Sequence, residues 1–190
     1  GTLFLDTTKP LSETLDTVRD YFINIMFDRS ATVISPKFVQ LTHVVAPVLE
    51  KQLQPNGVEL TVGEVYRIDG QLEISEESKT LPQKFKIEPV GSYYVLDEGQ
   101  TYEVVFNETV SVPKNMVAIT VPRSTFNRSG IQISGAVWDS GYSGRGSCLV
   151  VPQNKLRISP NTRIVQLLFM TADAYKQYEG SYNYERITPK

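Results

Sequence analysis

From about Thr32 onward the chain is a succession of short apolar runs, rich in Val, Ile, Tyr and Phe and interrupted by Pro and Gly: ATVIS, HVVAPVL, VELTVGEVYRI, GQLEIS, KFKIEPV, SYYVL, TYEVVF, MVAITV, IQISGAVW, SCLVV, LRIS and RIVQLLF. Runs of this length and composition suit half-buried strands, and closely spaced turn formers imply many of them. The expectation is a mainly all-β chain: a sandwich, jelly roll or barrel. Lys84-Phe85-Lys86-Ile87-Glu88 alternates strictly, as a strand with one wet face does. Glu73 to Thr80 (EISEESKT) reads as a polar connecting loop. One helix is expected ahead of the strands, over residues 8–27. There Leu11, Leu15, Val18, Phe22 and Ile25 recur at helical spacing, Pro10 suits an early helical position, and Asp28-Arg29-Ser30 ends the element. The chain therefore divides into an N-terminal helical extension (1–40), a β domain (41–172) and a tail (173–190).

Composition narrows the function classes. The 190 residues suffice for one domain with a real core. A net charge of -2 argues against a general nucleic-acid binder. No run approaches the ~20 apolar residues of a membrane span, and the opening GTLFLDTTKP lacks the basic leader of a signal peptide. The single cysteine, Cys148, excludes an internal disulfide and suits a reducing, cytoplasmic setting. The single histidine, His43, leaves little room for a histidine zinc centre or a Ser-His-Asp triad, and its apolar run marks it as structural.

The stretch that carries chemistry is Pro122 to Gly144, PRSTFNRSGIQISGAVWDSGYSG. Asp139 is the only acidic residue from Thr109 to Ala172, a span that also holds Lys114, Arg123, Arg128, Arg145, Lys155, Arg157 and Arg163. Seven cations around one anion favour an anionic ligand, although a solvated basic face with an incidental Asp has the same counts. Ser129-Gly130 and Ser134-Gly135 bracket Ile131-Gln132-Ile133, and Ser140-Gly141 and Ser143-Gly144 flank Tyr142. Glycine at such points lets backbone approach a ligand closely.

Four segments, in order, resemble the motifs of the trimeric dUTPase and dCTP deaminase superfamily. Gln54-Pro55-Asn56-Gly57-Val58-Glu59-Leu60 is similar to the deaminase-type first motif, Gln-Pro-x-x-Val-Asp-Leu. Pro122-Arg123-Ser124-Thr125 is similar to Pro-Arg-Ser-Ser, and Gly135 to Gly144 to Gly-Val-Ile-Asp-x-x-Tyr-x-Gly. Asn161-Thr162-Arg163-Ile164-Val165-Gln166-Leu167 is similar to Gly-x-Arg-Ile-Ala-Gln-Leu. Each is weak alone; four in sequence are specific. The resemblance implies a distorted jelly roll or β-clip with an N-terminal helix. It also implies a homotrimer with active sites at subunit interfaces, Mg²⁺, and dUTP or a related deoxynucleoside triphosphate.

The resemblance further implies residue roles. Arg123, Ser124 and Thr125, with Gln166 as a neutral donor, would hold phosphates. Asp139 would activate water for attack on the α-phosphorus, and Tyr142 would pack against the deoxyribose. The Ser129 to Ser134 segment, including Gly130 and Ile133, would read the base through its backbone. Arg128 matches the deaminase pattern Arg-Ser-Ser-x-x-Arg. Glu59, where the family has aspartate, would help hold Mg²⁺ through water. Tyr178 and Tyr182 belong to a tail that resembles the deaminase Tyr-x-Gly-Lys-Tyr, with Ser181 in place of the lysine. Its tyrosines lid the site or pack on the trimer surface. Deaminases also need a glutamate ten positions after the motif-three aspartate. Leu149 stands there, and no carboxylate lies between Ser140 and Ala172 to replace it. Hydrolysis of dUTP to dUMP and pyrophosphate is thus the leading expectation. The alternatives are a dCTP deaminase, a bifunctional deaminase and dUTPase, or a non-catalytic nucleotide-binding homologue.

Overall fold

A computed structural model describes residues 8, 10–26 and 32–187. Helix α1 (Leu11–Met26) begins directly after Pro10, whose carbonyl accepts from the Thr14 N–H at 3.1 Å. The side chains of Phe22 and Ile25, and the Asp28-Arg29-Ser30 stop, lie outside the described residues. A second helix, α2 (Pro36–Leu41), starts on a proline and is too short for periodicity to reveal. His43 follows it with φ +54, so it works as a left-handed turn residue rather than as part of a strand.

The strands then follow in quick succession. They are β1 (Val45–Ala46), β2 (Leu53–Gln54), β3 (Gly57–Asp69), β4 (Glu73–Ile74), β5 (Lys79–Thr80), β6 (Gln83–Ile87), β7 (Tyr94–Leu96) and β8 (Tyr102–Phe106). After them come β9 (Thr109–Ser111), β10 (Met116–Pro122), the single-turn helix α3 (Ser124–Arg128), β11 (Ile131–Ser134) and β12 (Val137–Trp138). The series closes with β13 (Ser143–Gly144), β14 (Ser147–Pro152), β15 (Leu156–Ile158) and β16 (Arg163–Thr171). The main sheet runs β11-β14-β8-β3-β16-β10-β12, and residues 32–34 extend it where the Ile34 N–H donates to Phe169 O at 2.8 Å. The expected mainly-β, jelly-roll-type chain is what the residues build. Glu73 to Thr80 is not a loop: Glu73 pairs with Thr80 and Ile74 with Lys79, and Ser75 and Ser78 tie the turn. Its polar sequence hid a hairpin that is exposed on both faces.

The long strand β3 is the spine. Its first half pairs with β16 and its second half lies between β6 and β8. The change happens at Gly63, where the register with β8 shifts. A Cβ there would stand 2.8 Å from Asn107 Oδ1 and 2.9 Å from the Val105 carbonyl, so only glycine fits the bulge. Val58, Leu60, Val62 and Val65 of this strand are fully buried against Val104, Phe106, Val165 and Leu167 in one continuous core. Each such side chain contributes about 1.5–3 kcal/mol by leaving water, so the core fixes the register on which both site halves depend.

Candidate functional site

Three of the four motifs meet on adjacent strands. In the ladders, Gln166 of β16 is paired with Glu59 of β3 on one side and Val121 of β10 on the other. Arg123 follows β10 directly, and its backbone N–H donates to Ile164 O at 3.2 Å. Its Nε donates to Glu59 Oε1 and its Nη1 to Arg163 O at 3.1 Å. Arg163 Nη1 lies 2.7 Å from Glu59 Oε2 and 2.7 Å from Lys51 O. Glu59 is 4% exposed, and each of its oxygens faces a guanidinium. The two arginines outnumber it and reach the surface. Ser124 and Thr125 are exposed in the first turn of α3, Arg128 is exposed at its end, and Phe126 pins that turn to the core. Gly57 leaves room for the Gln166 amide, whose Nε2 would stand 2.8 Å from a Cβ. This group of donors with net positive charge suits phosphate oxygens.

Beneath it lies Glu108, 2% exposed, which accepts from Thr61 N (2.9 Å), Thr61 Oγ1 (2.7 Å) and Gln52 Nε2 (2.8 Å). Gln52 Nε2 also donates to the Glu59 carbonyl at 2.8 Å, so the buried carboxyl braces the strand that carries Glu59. Burial pushes the Glu108 carboxyl above its ordinary range, and these hydrogen bonds only partly offset it.

The third motif builds a separate cleft. Trp138 is buried; its Nε1–H donates to Thr120 Oγ1 at 2.7 Å, and it stacks on Phe106 (centroids 6.2 Å) and meets Tyr142 edge-on at 5.2 Å. The indole lies over Gly146, where a Cβ would come within 2.4 Å of Cη2. Asp139, next along, is exposed, and among the described residues its carboxylate takes no hydrogen bond or ion pair. Tyr142 is 7% exposed, and its hydroxyl donates to Glu185 Oε1 at 3.0 Å. Burial and the Glu185 charge push that hydroxyl well above the usual tyrosine range.

The tail closes over this loop of its own chain. Tyr178 N–H donates to Ser140 O (2.8 Å), Ser143 N–H to Asn183 Oδ1 (2.9 Å) and Tyr184 N–H to Ser143 O (2.6 Å). Arg186 donates to Arg145 O (3.0 Å) and to Glu103 Oε1 (3.0 Å). Tyr178 and Tyr182 help line a cleft of about 400 Å³ with Trp138, Asp139, Tyr142 and Glu103, while Tyr175 and Tyr184 face solvent.

The two halves do not meet within one chain. The β10–β12 register pairs Ala118 with Trp138, which sets Asp139 opposite Val117, and Arg123 is six positions further along. At ~3.3 Å per residue that separation is roughly 20 Å. The proposed base-reading segment is also apart: Ile131–Ser134 is edge strand β11, Gly130 has φ +70, Ile133 is buried, and none of residues 129–134 lines the cleft.

One cleft residue escapes motif reading. Glu103 of β8 pairs across the ladder with Leu149, so a carboxylate does face that position, from a strand outside the Ser140 to Ala172 span. It is 8% exposed, and Lys84 Nζ (2.7 Å), Ser147 Oγ (2.7 Å) and Arg186 hold it. Burial pushes its carboxyl up, but these donors and charges outweigh burial and hold it below the ordinary range. The signal was present: a lone charge inside the apolar run TYEVVF.

Among the described residues no three His, Cys, Asp or Glu side chains gather as a metal cage, and no helix is long and apolar enough to cross a membrane.

A family model described as dCTP deaminase-like matches residues 30–172. A probable deoxyuridine 5'-triphosphate nucleotidohydrolase of Methanococcoides burtonii is 40% identical over 146 residues, covering 73% of this chain and 85% of that protein. A protein of the same description from Halobacterium salinarum is 35% identical over 147 residues, covering 75% and 89%. Among solved structures, a 2'-deoxycytidine 5'-triphosphate deaminase from Agrobacterium tumefaciens superposes with a TM-score of 0.61 at 17% identity. It covers 76% of this chain, and the match spans about half (49%) of that protein, a likeness of fold alone.

Proposed function

The chain belongs to the dCTP deaminase-like family, and from that premise we propose that it hydrolyses dUTP to dUMP and pyrophosphate. The observation that carries this reading is the state of the carboxylates. Asp139 is exposed at the cleft and unpaired among the described residues, free to orient and deprotonate a water, whereas Glu59 and Glu103 are both locked in ion pairs. The archaeal relatives named as probable dUTP nucleotidohydrolases support the same substrate.

In this reading the nucleoside occupies the cleft of one subunit, with its sugar at Tyr142. Arg123, Ser124, Thr125 and Gln166 hold the phosphates, and Arg128 adds charge at the rim. The separation of roughly 20 Å within one chain means that those phosphate donors come from a second copy. A homotrimer in the cytoplasm, with sites between subunits, satisfies this need. A water held by Asp139 attacks the α-phosphorus in line, the Asp139 carboxylate takes its proton, and the bond to the bridging oxygen breaks to release pyrophosphate.

The residues do not fit a protein-held magnesium ion: both Glu59 oxygens are taken by arginine, and no acidic cluster is present among the described residues. Mg²⁺ belongs to the substrate as its phosphate complex, where it would neutralise charge on the leaving pyrophosphate.

Deamination is the second reading, because Glu103 faces Leu149. Its ion pairs with Lys84 and Arg186 hold it as a fixed anion, which disfavours proton shuttling. A panel of deoxynucleoside triphosphates with Mg²⁺, scored for both pyrophosphate and ammonia, tests these readings. Pyrophosphate from dUTP without ammonia from dCTP is expected. Strong ammonia release from dCTP overturns the assignment, and dUTP binding without turnover leaves a non-catalytic homologue.

A further inference from the structure

We propose that Glu108, acting through Gln52, is a positioning residue that sets the two arginines of the phosphate cluster, Arg123 and Arg163. This rests on the pyrophosphatase reading above, which gives that cluster its ligand. The warrant is a gap in the main sheet. Strand β2 leaves β3 after Val58, and β8 joins β3 only at Val62. Glu59, Leu60 and Thr61 fall between the two ladders, and side chains stand in for the missing strand. The Glu59 carbonyl accepts from Gln52 Nε2 at 2.8 Å, and the Thr61 N–H donates to Glu108 Oε2 at 2.9 Å. Glu108 Oε1 takes the Gln52 amide at 2.8 Å and the Thr61 hydroxyl at 2.7 Å. Gln52, Thr61 and Glu108 are all buried, so water competes poorly for any of these bonds.

The two guanidiniums depend on this gap by two routes. Glu59 projects from it, and its carboxylate oxygens meet Arg123 and Arg163. Gln52 Oε1 accepts the Leu49 N–H at 2.8 Å, which closes the turn 49–52. The Lys51 carbonyl inside that turn accepts from Arg163 Nη1 at 2.7 Å. Both anchors of Arg163, the Glu59 carboxylate and the Lys51 carbonyl, are therefore tied back to one amide that Glu108 holds. A long arginine side chain at the surface samples many rotamers, and its planar fork serves a phosphate only when its plane is fixed. Misplacing such a group by about 1 Å can cost about 10²-fold. Glu108 is buried and, among the described residues, bonds neither guanidinium, so it acts on the cluster only through its neighbours.

The test uses the full chain and the α,β-imido analogue of dUTP, which keeps base and phosphates but resists cleavage. Glu108→Gln keeps the shape, but with one oxygen turned into an amide donor it no longer accepts from both Thr61 N–H and Gln52 Nε2. Gln52→Met keeps the length and removes every bond of that amide. Each should weaken analogue binding about ten- to a hundred-fold. The double variant should lose no more than the worse single one, because the two act in series. A second readout follows Arg123 directly, by NMR of nucleotide-free protein labelled with heavy nitrogen at arginine. The Nε–H signal of Arg123, identified by its absence in Arg123→Lys, should lose its protection from solvent exchange in both variants as its bond to Glu59 loosens. Wild-type affinity and wild-type Arg123 protection in the folded variants overturn the proposal, even with a lowered Tm, since Glu108 would then be a structural brace alone. Additive losses in the double variant, or weakened binding with Arg123 protection intact, also overturn it. If Glu108→Gln does not fold by circular dichroism, Gln52→Met decides alone. Wild type that does not bind the analogue refutes the proposal too. Because both readouts work without turnover, missing pyrophosphate release would sink the hydrolase reading while the positioning of Arg123 stays measurable.

Discussion

Gly146→Ala isolates the packing that presents Asp139. Gly146 has no unusual φ, so the substitution is a purely steric probe. The new Cβ would lie 2.4 Å from Trp138 Cη2 and 2.8 Å from Cζ3. Reaching an ordinary contact of about 3.4 Å requires the ring to retreat by roughly 1 Å. Phe106, Tyr142 and the 2.7 Å bond to Thr120 surround that ring, so it cannot retreat without loosening one of them. Overpacking of this kind costs about 1–3 kcal/mol, and a lost hydrogen bond adds about 1 kcal/mol. The alanine returns about 0.4–1 kcal/mol through the unfolded state. The net is a destabilisation of about 1–3 kcal/mol, or about 2–12 °C in Tm for a chain of this size. In a Trp138→Phe background the intruding ring atoms are gone, so Gly146→Ala should be neutral or mildly stabilising. The double-mutant cycle should therefore show coupling above about 1 kcal/mol. Thermal melts of the four proteins by circular dichroism supply every term. A wild-type Tm for Gly146→Ala, or equal effects in both backgrounds, would refute the assigned packing.

Other perturbations separate the remaining roles. Asp139→Asn should lower dUTP turnover by about 10²–10⁴-fold while the dUTP analogue still binds; near-normal turnover removes Asp139 from the chemistry. Mixing inactive Asp139→Asn with inactive Arg123→Ala chains should restore activity, since each supplies the half the other lacks, and no recovery after subunit exchange would place both halves of a site in one chain. Adding EDTA should stop turnover yet leave the melting temperature of the nucleotide-free protein unchanged, as the proposal that the ion travels with the triphosphate requires. For pH, Glu108 has its folded value raised by burial. The stability it contributes is fully present below its ordinary value of 4.5 and declines as pH rises through the raised value. Glu64 and Glu103 are lowered and act oppositely, losing stability as pH falls below 4.5. A Glu108→Gln variant should therefore gain on wild type in Tm as pH rises above 4.5, and a constant difference would contradict the assignment.

What the sequence discloses follows from how local each feature is. The alternation of Lys84 to Glu88 marks β6, and the run VELTVGEVYRI marks β3, because a strand's period is written in adjacent residues. The motifs named Arg123, Asp139, Tyr142 and Gln166 as separate markers. That Glu59, Arg123 and Arg163 share one ion-pair cluster depends on ladder register between strands far apart in sequence. Glu103 facing Leu149 is the same kind of information, and a linear window missed it. Helix α3 went unread because PRSTFNRSG is full of turn formers and its single turn is held by one buried side chain, Phe126. The hairpin at Glu73 to Thr80 went unread because nothing apolar defines its faces.

The tail's attachment to its own motif-three loop has a consequence for mass action. A tethered segment meets its target at an effective concentration set by the chain, so its closure over Tyr142 does not change with dilution. The phosphate donors that the proposed assembly would take from another copy have no such tether, and their occupancy would fall as subunits separate. A dilution series should thus split the reaction's two requirements: nucleoside affinity holds down to concentrations where phosphate-dependent turnover has already vanished.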